Sequence, residues 1–155
     1  MNIVELLKTK NLKISTAESC TGGMVAGQIT SFSGASTCFE MGVITYSNEA
    51  KMQLLGVKKE TLDKFGAVSE ETAREMCDGV RGLANANIGI SVTGIAGPNG
   101  GTPEKPVGLV YVGVSGEFGT QITKLSLNGT RYDIQQHTTD IVLQIAQQYI
   151  VQFYG

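Results

Sequence analysis

The chain has little of what most catalytic or metal-binding scaffolds advertise. It holds one histidine, His137, in 155 residues, so a Ser-His-Asp triad would have to use that one imidazole. His137 falls in a helical pattern on the same face as Ile134 and Ile141, and that apolar spacing favours a structural role. The three cysteines, Cys20, Cys38 and Cys77, are an odd number without a CxxC pair, which argues against both a disulfide framework and a zinc site. They read as reduced thiols, and no metal or cofactor is expected. There is no run of lysine or arginine and the formal net charge is -2, so a broad nucleic-acid face is not expected. A small anionic ligand would need only one or two cations. No apolar stretch approaches the roughly 18 residues of a membrane span, and the opening MNIVELLKTKNLK has no signal-peptide core. The chain is therefore expected to work in the cytoplasm, with no membrane partner. Neither GxxxxGK[ST] nor GxGxxG occurs, which removes the Walker loop and the dinucleotide fingerprint.

What the chain does have is glycine, 20 of 155 residues, when about 7% is usual. Several loops must need left-handed backbone or close approach to a ligand. With 41% hydrophobic residues the chain can bury one sizeable core, so a single domain over residues 1–155 is expected. Short apolar runs alternate with amphipathic stretches. Helices are predicted near Ile3–Thr9, Thr21–Ser31, Asn48–Leu55, Lys59–Phe65, from Ser69 to about Ala84, and from Thr130 to the end. Strands are predicted near Lys13–Thr16, Cys38–Tyr46, Ile88–Thr93, Val107–Val114 and Gln121–Leu127, the last two turning through Gly116–Gly119. Asn48 and Ser69 are candidate N-caps, and Thr130 with Asp133 three residues on resembles a capping box. Ile134, Ile141, Ile145 and Tyr149 mark one face of the closing helix. Ile88–Thr93 is β-branched and apolar, as a strand buried on both faces should be. The order predicts an α/β fold, one mixed sheet with helices on both faces in three layers.

Three loops after strands are rich in glycine and small polar residues. The first, Thr16-Ala-Glu-Ser-Cys-Thr-Gly-Gly23, enters a helix. Its backbone N–H groups and the hydroxyls of Ser19 and Thr21 could hold a phosphate or carboxylate beside Gly22 and Gly23, or the segment is simply a capped turn. Cys20 reads as a packing residue. The second, Thr93-Gly-Ile-Ala-Gly-Pro-Asn-Gly-Gly101, offers backbone donors around Gly94 and Gly97 of the kind that nests and oxyanion holes use. The third, Asn128-Gly-Thr-Arg131, puts a planar guanidinium beside a helix start, a natural phosphate clamp or an ordinary surface arginine.

The segment SGASTCFEMGVITYSNEAK, residues 33–51, sets a hydroxyl, a phenol and an amine around one strand. Ser36, Tyr46 and Lys51 are the candidate catalytic residues. A serine becomes a nucleophile when something takes its proton, and a lysine kept partly neutral by burial can do so. The five-residue spacing of Tyr46 and Lys51 separates them from Tyr-x-x-x-Lys dehydrogenases, whose pair lies four apart on one helix face.

TAESCTGG, GxxTYSNxxK over Gly42–Lys51, GAVSEE over Gly66–Glu71, and SVTGIAGPNGG followed by EKPVG together cover most of the chain. In that order they resemble the CinA C-terminal domain family, whose enzymatic members are the nicotinamide-nucleotide amidohydrolases called PncC. The resemblance implies hydrolysis of the carboxamide of nicotinamide mononucleotide to nicotinate mononucleotide and ammonia, in pyridine-nucleotide recycling. It implies a serine nucleophile before the YSNxxK strand, which maps to Ser36, assisted by Tyr46 and Lys51. The family's usual GSS there is Gly34-Ala35-Ser36 here. Substrate contacts would come from Ser19, Thr21, Gly22, Gly23, Thr93, Gly94, Gly97 and Arg131. It further implies a homo-oligomer, with a dimer favoured. Full-length CinA proteins carry an additional N-terminal domain, whose activities are not expected of this segment. Two other readings stay open: a non-catalytic pyridine-nucleotide-binding or regulatory module, and an amidohydrolase for a different amide.

Overall fold

A computed structural model describes all residues, 1–155. The elements run α1 Ile3–Thr9, β1 Ile14–Glu18, α2 Met24–Thr30, a 3-10 turn Ala35–Thr37, β2 Phe39–Ile44, α3 Asn48–Leu55, α4 Lys59–Phe65, α5 Glu70–Ala84, β3 Ile88–Gly94, β4 Leu109–Gly116, β5 Gly119–Ser126 and α6 Arg131–Tyr154. The sheet order is β2-β1-β3-β4-β5. β1 pairs in parallel with both β2 and β3, whereas β3-β4 and β4-β5 are antiparallel, so the sheet is mixed, as expected. No helix is long and apolar enough to cross a membrane.

Alternation along the strands sorts two cores. Ile14, Ile88, Ile90, Val92, Val110, Val112 and Val114 face α1, α2 and α6 in one cluster of 24 buried residues. The opposite face is small and polar. Ala17, Ser15, Gly89, Ser91 and Gly113 let α5 lie close, and Ser91 and Ser15 donate their hydroxyls to the α5 carbonyls of Ala73 (2.7 Å) and Val80 (3.3 Å). A Cβ on Gly89 would overlap the Cys77 carbonyl oxygen, and one on Gly113 would press on the Ser91 hydroxyl and the Cys77 sulfur. This approach satisfies hydroxyls that burial would otherwise strand. α3 and α4 then pack on α5 around Leu55, Leu62, Met76 and Val80.

Several expectations change in detail. Ser47, one residue before Asn48, caps α3 by accepting from the Ala50 N–H at 3.1 Å, because its extended backbone lets the side chain reach back. Ser69 caps α5, and Thr130 with Asp133 forms the capping box of α6. On α6, Ile134 and Tyr149 are buried, but Ile141 and Ile145 are half-exposed; the core instead takes Thr138, Val142, Leu143, Ala146 and Ile150. His137 is exposed, although Ile134 one turn before it is buried.

Candidate active site

β1, β2 and β3 run parallel, so their C-terminal ends meet at one edge of the sheet, and β1 has a neighbour on each side. A crevice opens where connections leave a strand toward opposite sides. Glu18 pairs with Ile44 on one side and Val92 on the other. The ladders run one step further, with Thr45 N donating to Glu18 O (2.8 Å) and Ser19 N to Val92 O (3.0 Å). Ser19 is therefore fixed at the strand end before the chain turns away. The turn closes with Gly22 N to Ser19 O at 3.0 Å and needs left-handed backbone at Gly22 (φ 57) and Gly23 (φ 106).

Lys51 lies in the first turn of α3 and is 2% exposed. Its Nζ is 3.1 Å from the Ser19 Oγ and donates to the Thr45 carbonyl at 2.7 Å. It makes no ion pair; the three ion pairs of the chain lie elsewhere. Burial pushes its pKa below the usual lysine value and outweighs the opposite influence of the neighbouring Cys20. An ammonium here would have three N–H donors and two acceptors in the chain. A neutral amine would donate to Thr45 and present its lone pair to the Ser19 hydroxyl, which matches the partners present.

Ser36 is not part of this arrangement. It is exposed on the 3-10 turn before β2, whereas Lys51 follows β2. The six residues of β2 separate them by about 20 Å at a rise of ~3.3 Å each. The serine that faces Lys51 is Ser19.

Around Ser19 a cleft of about 250 Å³ is lined by Cys20, Tyr46, Gly94, Ile95, Ala96, Gly97, Asn99, Gly100 and Arg131. Arg131, the first residue of α6, bridges its two walls: Nη1 donates to the Gly97 carbonyl at 2.6 Å and Nη2 to the Tyr46 hydroxyl at 2.7 Å. The Tyr46 hydroxyl is thus engaged by Arg131, and Tyr46 is 60% exposed. The chain's three prolines, Pro98, Pro103 and Pro106, all lie in the excursion between β3 and β4 that forms one wall. The peptide Gly97-Pro98 is cis. The N–H groups of Cys20, Ala96 and Gly97 donate to no backbone carbonyl. A hollow of about 510 Å³ over Pro98–Val107 shares Asn99 and Gly100 with the cleft. Another, of about 470 Å³, runs along Gln144, Gln147, Gln148, Val151 and Gln152 of α6, with no nucleophile or ionisable group in its lining.

The remaining candidates divide. Gly94 and Gly97 line the cleft. Thr93 is buried and donates to the Ala67 carbonyl at 2.7 Å, so its hydroxyl is already spent. Thr21 is buried and donates to the Glu18 carboxylate at 2.6 Å, and that carboxylate also accepts from the Val25 and Ala26 N–H groups. The Val25 and Ala26 N–H groups and the Thr21 hydroxyl are therefore already taken by the chain's own carboxylate, and the Gly22 N–H by the Ser19 carbonyl, so none of these four donors is free for a substrate phosphate. Cys20 is buried and its thiol is pushed up to about 12, mainly by burial, which leaves it protonated and inert. Glu18 was not singled out by the sequence, although its place between a strand and a Thr-Gly-Gly turn is a usable signal for an internal helix cap.

The family model of the CinA C-terminal domain matches residues 1–150. A CinA-like protein of Kosmotoga olearia is 55% identical over 145 residues, covering 94% of this chain and 35% of the relative. A competence-damage inducible relative from Thermoanaerobacter sp. strain X514 is 53% identical over 149 residues, 96% of this chain and 36% of its own length. The chain thus spans about a third of the length of these curated relatives. Among solved structures, the competence/damage inducible protein CihA of Agrobacterium tumefaciens superposes with a TM-score of 0.89 at 41% identity, over 94% of this chain and 95% of that one. A CinA superfamily protein of Klebsiella pneumoniae gives 0.94 at 29% identity, over 97% and 94%. The chain belongs to the CinA C-terminal domain family.

Proposed function

We propose that this domain is a Ser-Lys amidohydrolase of the PncC type, cleaving the carboxamide of nicotinamide mononucleotide with Ser19 as nucleophile and Lys51 as base. The observation that carries the reading is a buried amine without a carboxylate partner, 3.1 Å from a serine hydroxyl at the foot of a cleft. Lys51 takes the Ser19 proton as Oγ attacks the carboxamide carbon. The oxyanion is received by backbone N–H groups, of which Cys20, Ala96 and Gly97 offer unspent ones; one such donor is worth about 3 kcal/mol. As the C–N bond breaks, the Lys51 ammonium returns the proton to the leaving nitrogen, and ammonia departs. Water, deprotonated by Lys51, then opens the acyl-serine, giving the carboxylic acid and restoring Ser19. Arg131 is the one cation lining the cleft and the natural partner of the phosphate, with Tyr46 as its neighbour and wall. The cleft sits just below the roughly 300–1,000 Å³ usual for ligand sites, and the shared hollow over the glycine loop extends it for a nucleotide.

The test is ammonia release from nicotinamide mononucleotide by the wild type, Ser19→Ala, Lys51→Met and Ser36→Ala. The first two variants should lose roughly 10⁴-fold or more in kcat, as removal of a nucleophile or its base does. Ser36→Ala should stay within about twofold, as an exposed residue remote from the cleft. A folded wild type that binds the mononucleotide and releases no ammonia would mark a binding module instead.

A further inference from the structure

We propose that Glu18 and Gln135 are positioning residues, a two-point clamp that holds the Ser19–Gly23 turn in its reactive shape. The inference rests on Ser19 being the nucleophile. Glu18 is 1% exposed and has no cation partner. Its Oε1 accepts from the Thr21 hydroxyl at 2.6 Å and the Val25 N–H at 2.8 Å, and its Oε2 from the Ala26 N–H at 3.1 Å. A carboxylate without a cation is costly to bury, and a local Ser, Thr or Asn would cap α2 more simply. Instead the cap position is Gly23, which has no side chain to offer, and the acceptor comes from the strand residue next to Ser19. Consecutive residues thus carry the cap and the nucleophile, so the start of α2 and the end of β1 cannot shift independently.

From the other side, the Gln135 side chain on α6 donates to the Cys20 carbonyl at 2.9 Å. The Cys20–Thr21 peptide, one residue beyond Ser19, is thereby anchored to a second element. The turn needs such bracing because its two left-handed glycines, Gly22 and Gly23, give it little stiffness of its own. Strand alternation also keeps the clamp apart from the base. Glu18 shares the α2 face with Ile14 and Thr16, and Lys51 makes no ion pair with it, so the acid fixes the turn without holding the lysine in its charged form.

Three variants of the full chain test the clamp: Glu18→Gln, Glu18→Asp and Gln135→Leu. Misplacing a reacting group by about 1 Å can cost ~100-fold, so kcat should fall roughly 10- to 100-fold in Glu18→Gln and about 3- to 10-fold in Gln135→Leu. KM should change less than kcat and the acid limb of the pH profile should not move, because Tyr46, Arg131 and the glycine-loop wall of the cleft are not among the clamp's partners and Lys51 is not touched. Glu18→Asp keeps the charge and should recover part of the loss. Amide exchange by NMR at Gly22, Val25 and Ala26, whose N–H groups donate to the Ser19 carbonyl and the Glu18 carboxylate, should speed up while β3 and the body of α6 stay protected, a readout that does not depend on turnover. Unchanged exchange at the turn, or a loss of activity that follows only the unfolded fraction, overturns the clamp. If Glu18→Gln does not fold, Gln135→Leu decides, since it removes one bond from a half-buried site. A wild type without turnover, or an active Ser19→Ala, instead sinks the nucleophile assignment, while faster exchange would still report the clamp.

Discussion

A buried lysine without an acid beside it works against folding, and Lys51 is such a residue. Its folded pKa lies below the ordinary value of 10.5, so between the two values the unfolded chain binds more protons than the folded one. Stability contributed by this group therefore rises with pH through that window, and the full penalty stands below it. Lys51→Met should raise Tm at pH 7 while abolishing turnover, and the gain should shrink as pH approaches 10.5. Thermal scans of both proteins across pH check this; a variant less stable than the wild type throughout would mean that the amine's two hydrogen bonds outweigh its desolvation. For catalysis the sign is the useful one, since activity needs the neutral amine. The acid limb of kcat/KM should lie below 10.5, displaced in the direction of the Lys51 shift. At this scale the sequence singled out Lys51, Tyr46 and Arg131, and the structure sets Tyr46 and Arg131 on the cleft wall, but the serine beside Lys51 is Ser19 and not the Ser36 that the sequence paired with it. Ser36 precedes β2 and Lys51 follows it, so a strand's length lies between them; Ser19 and Lys51 both follow strands that run in parallel. That comparison was available from the element order alone, once β1 and β2 were taken as parallel neighbours.

At the scale of elements, glycine marks where helices touch other backbone, and two glycines of α5 respond to opposite demands. A Cβ at Gly79 would overlap the Leu55 carbonyl at the end of α3, whereas one at Gly82 meets nothing within 4 Å. Gly79→Ala should destabilise by about 1–3 kcal/mol through forced separation of α3 and α5. Gly82→Ala, like Gly27→Ala in α2, should stabilise by roughly 0.5–1 kcal/mol through helix propensity. Chemical denaturation of the three variants reads both signs, and a neutral Gly79→Ala would mean that the α3–α5 contact yields easily. Because α3 carries Lys51, Gly79→Ala should also lower kcat in the folded protein. Helix ends were legible in sequence wherever a cap or turn glycine stood, as at Ser69, Gly66 and Thr130. The faces of α6 were less so: its spacing of Ile134, Ile141, Ile145 and Tyr149 is helical, but threonines at 138 and 139 take buried places by donating to carbonyls one turn back. Apolar periodicity cannot anticipate a hydroxyl that satisfies itself within the helix.

For the whole molecule, the site exists because the strand order is 2-1-3 and not 1-2-3. With β1 between β2 and β3, the Ser19 turn, the Thr45–Tyr46 corner and the glycine loop after β3 converge, and α6 closes the ring with Arg131. The four family strings each fall on or beside this rim or its α5 support, which is why the family was readable while the serine's partner was not: motifs give the pieces, and pairing order gives their distances. A ligand that spans the rim should then couple elements that are distant in sequence. Adding nicotinate mononucleotide, the expected product, to Ser19→Ala should raise Tm, and at 100 times its Kd the stabilisation should be about 2.7 kcal/mol. Amide shifts and exchange protection should appear together at residues 18–23, 45–47, 94–100 and 131–135, which touch or support the cleft. They should be absent at residues 33–37, on the opposite end of the sheet. Nicotinic acid without its ribose phosphate should lose the response at Arg131 first, because that guanidinium is the one cation on the cleft wall. Perturbation centred on residues 33–37 would move the functional edge of the sheet to the N-terminal ends of its strands and with it the whole assignment of Ser19, whereas a response confined to the 94–100 loop would leave the loop as a binding surface uncoupled from the Ser19–Lys51 pair.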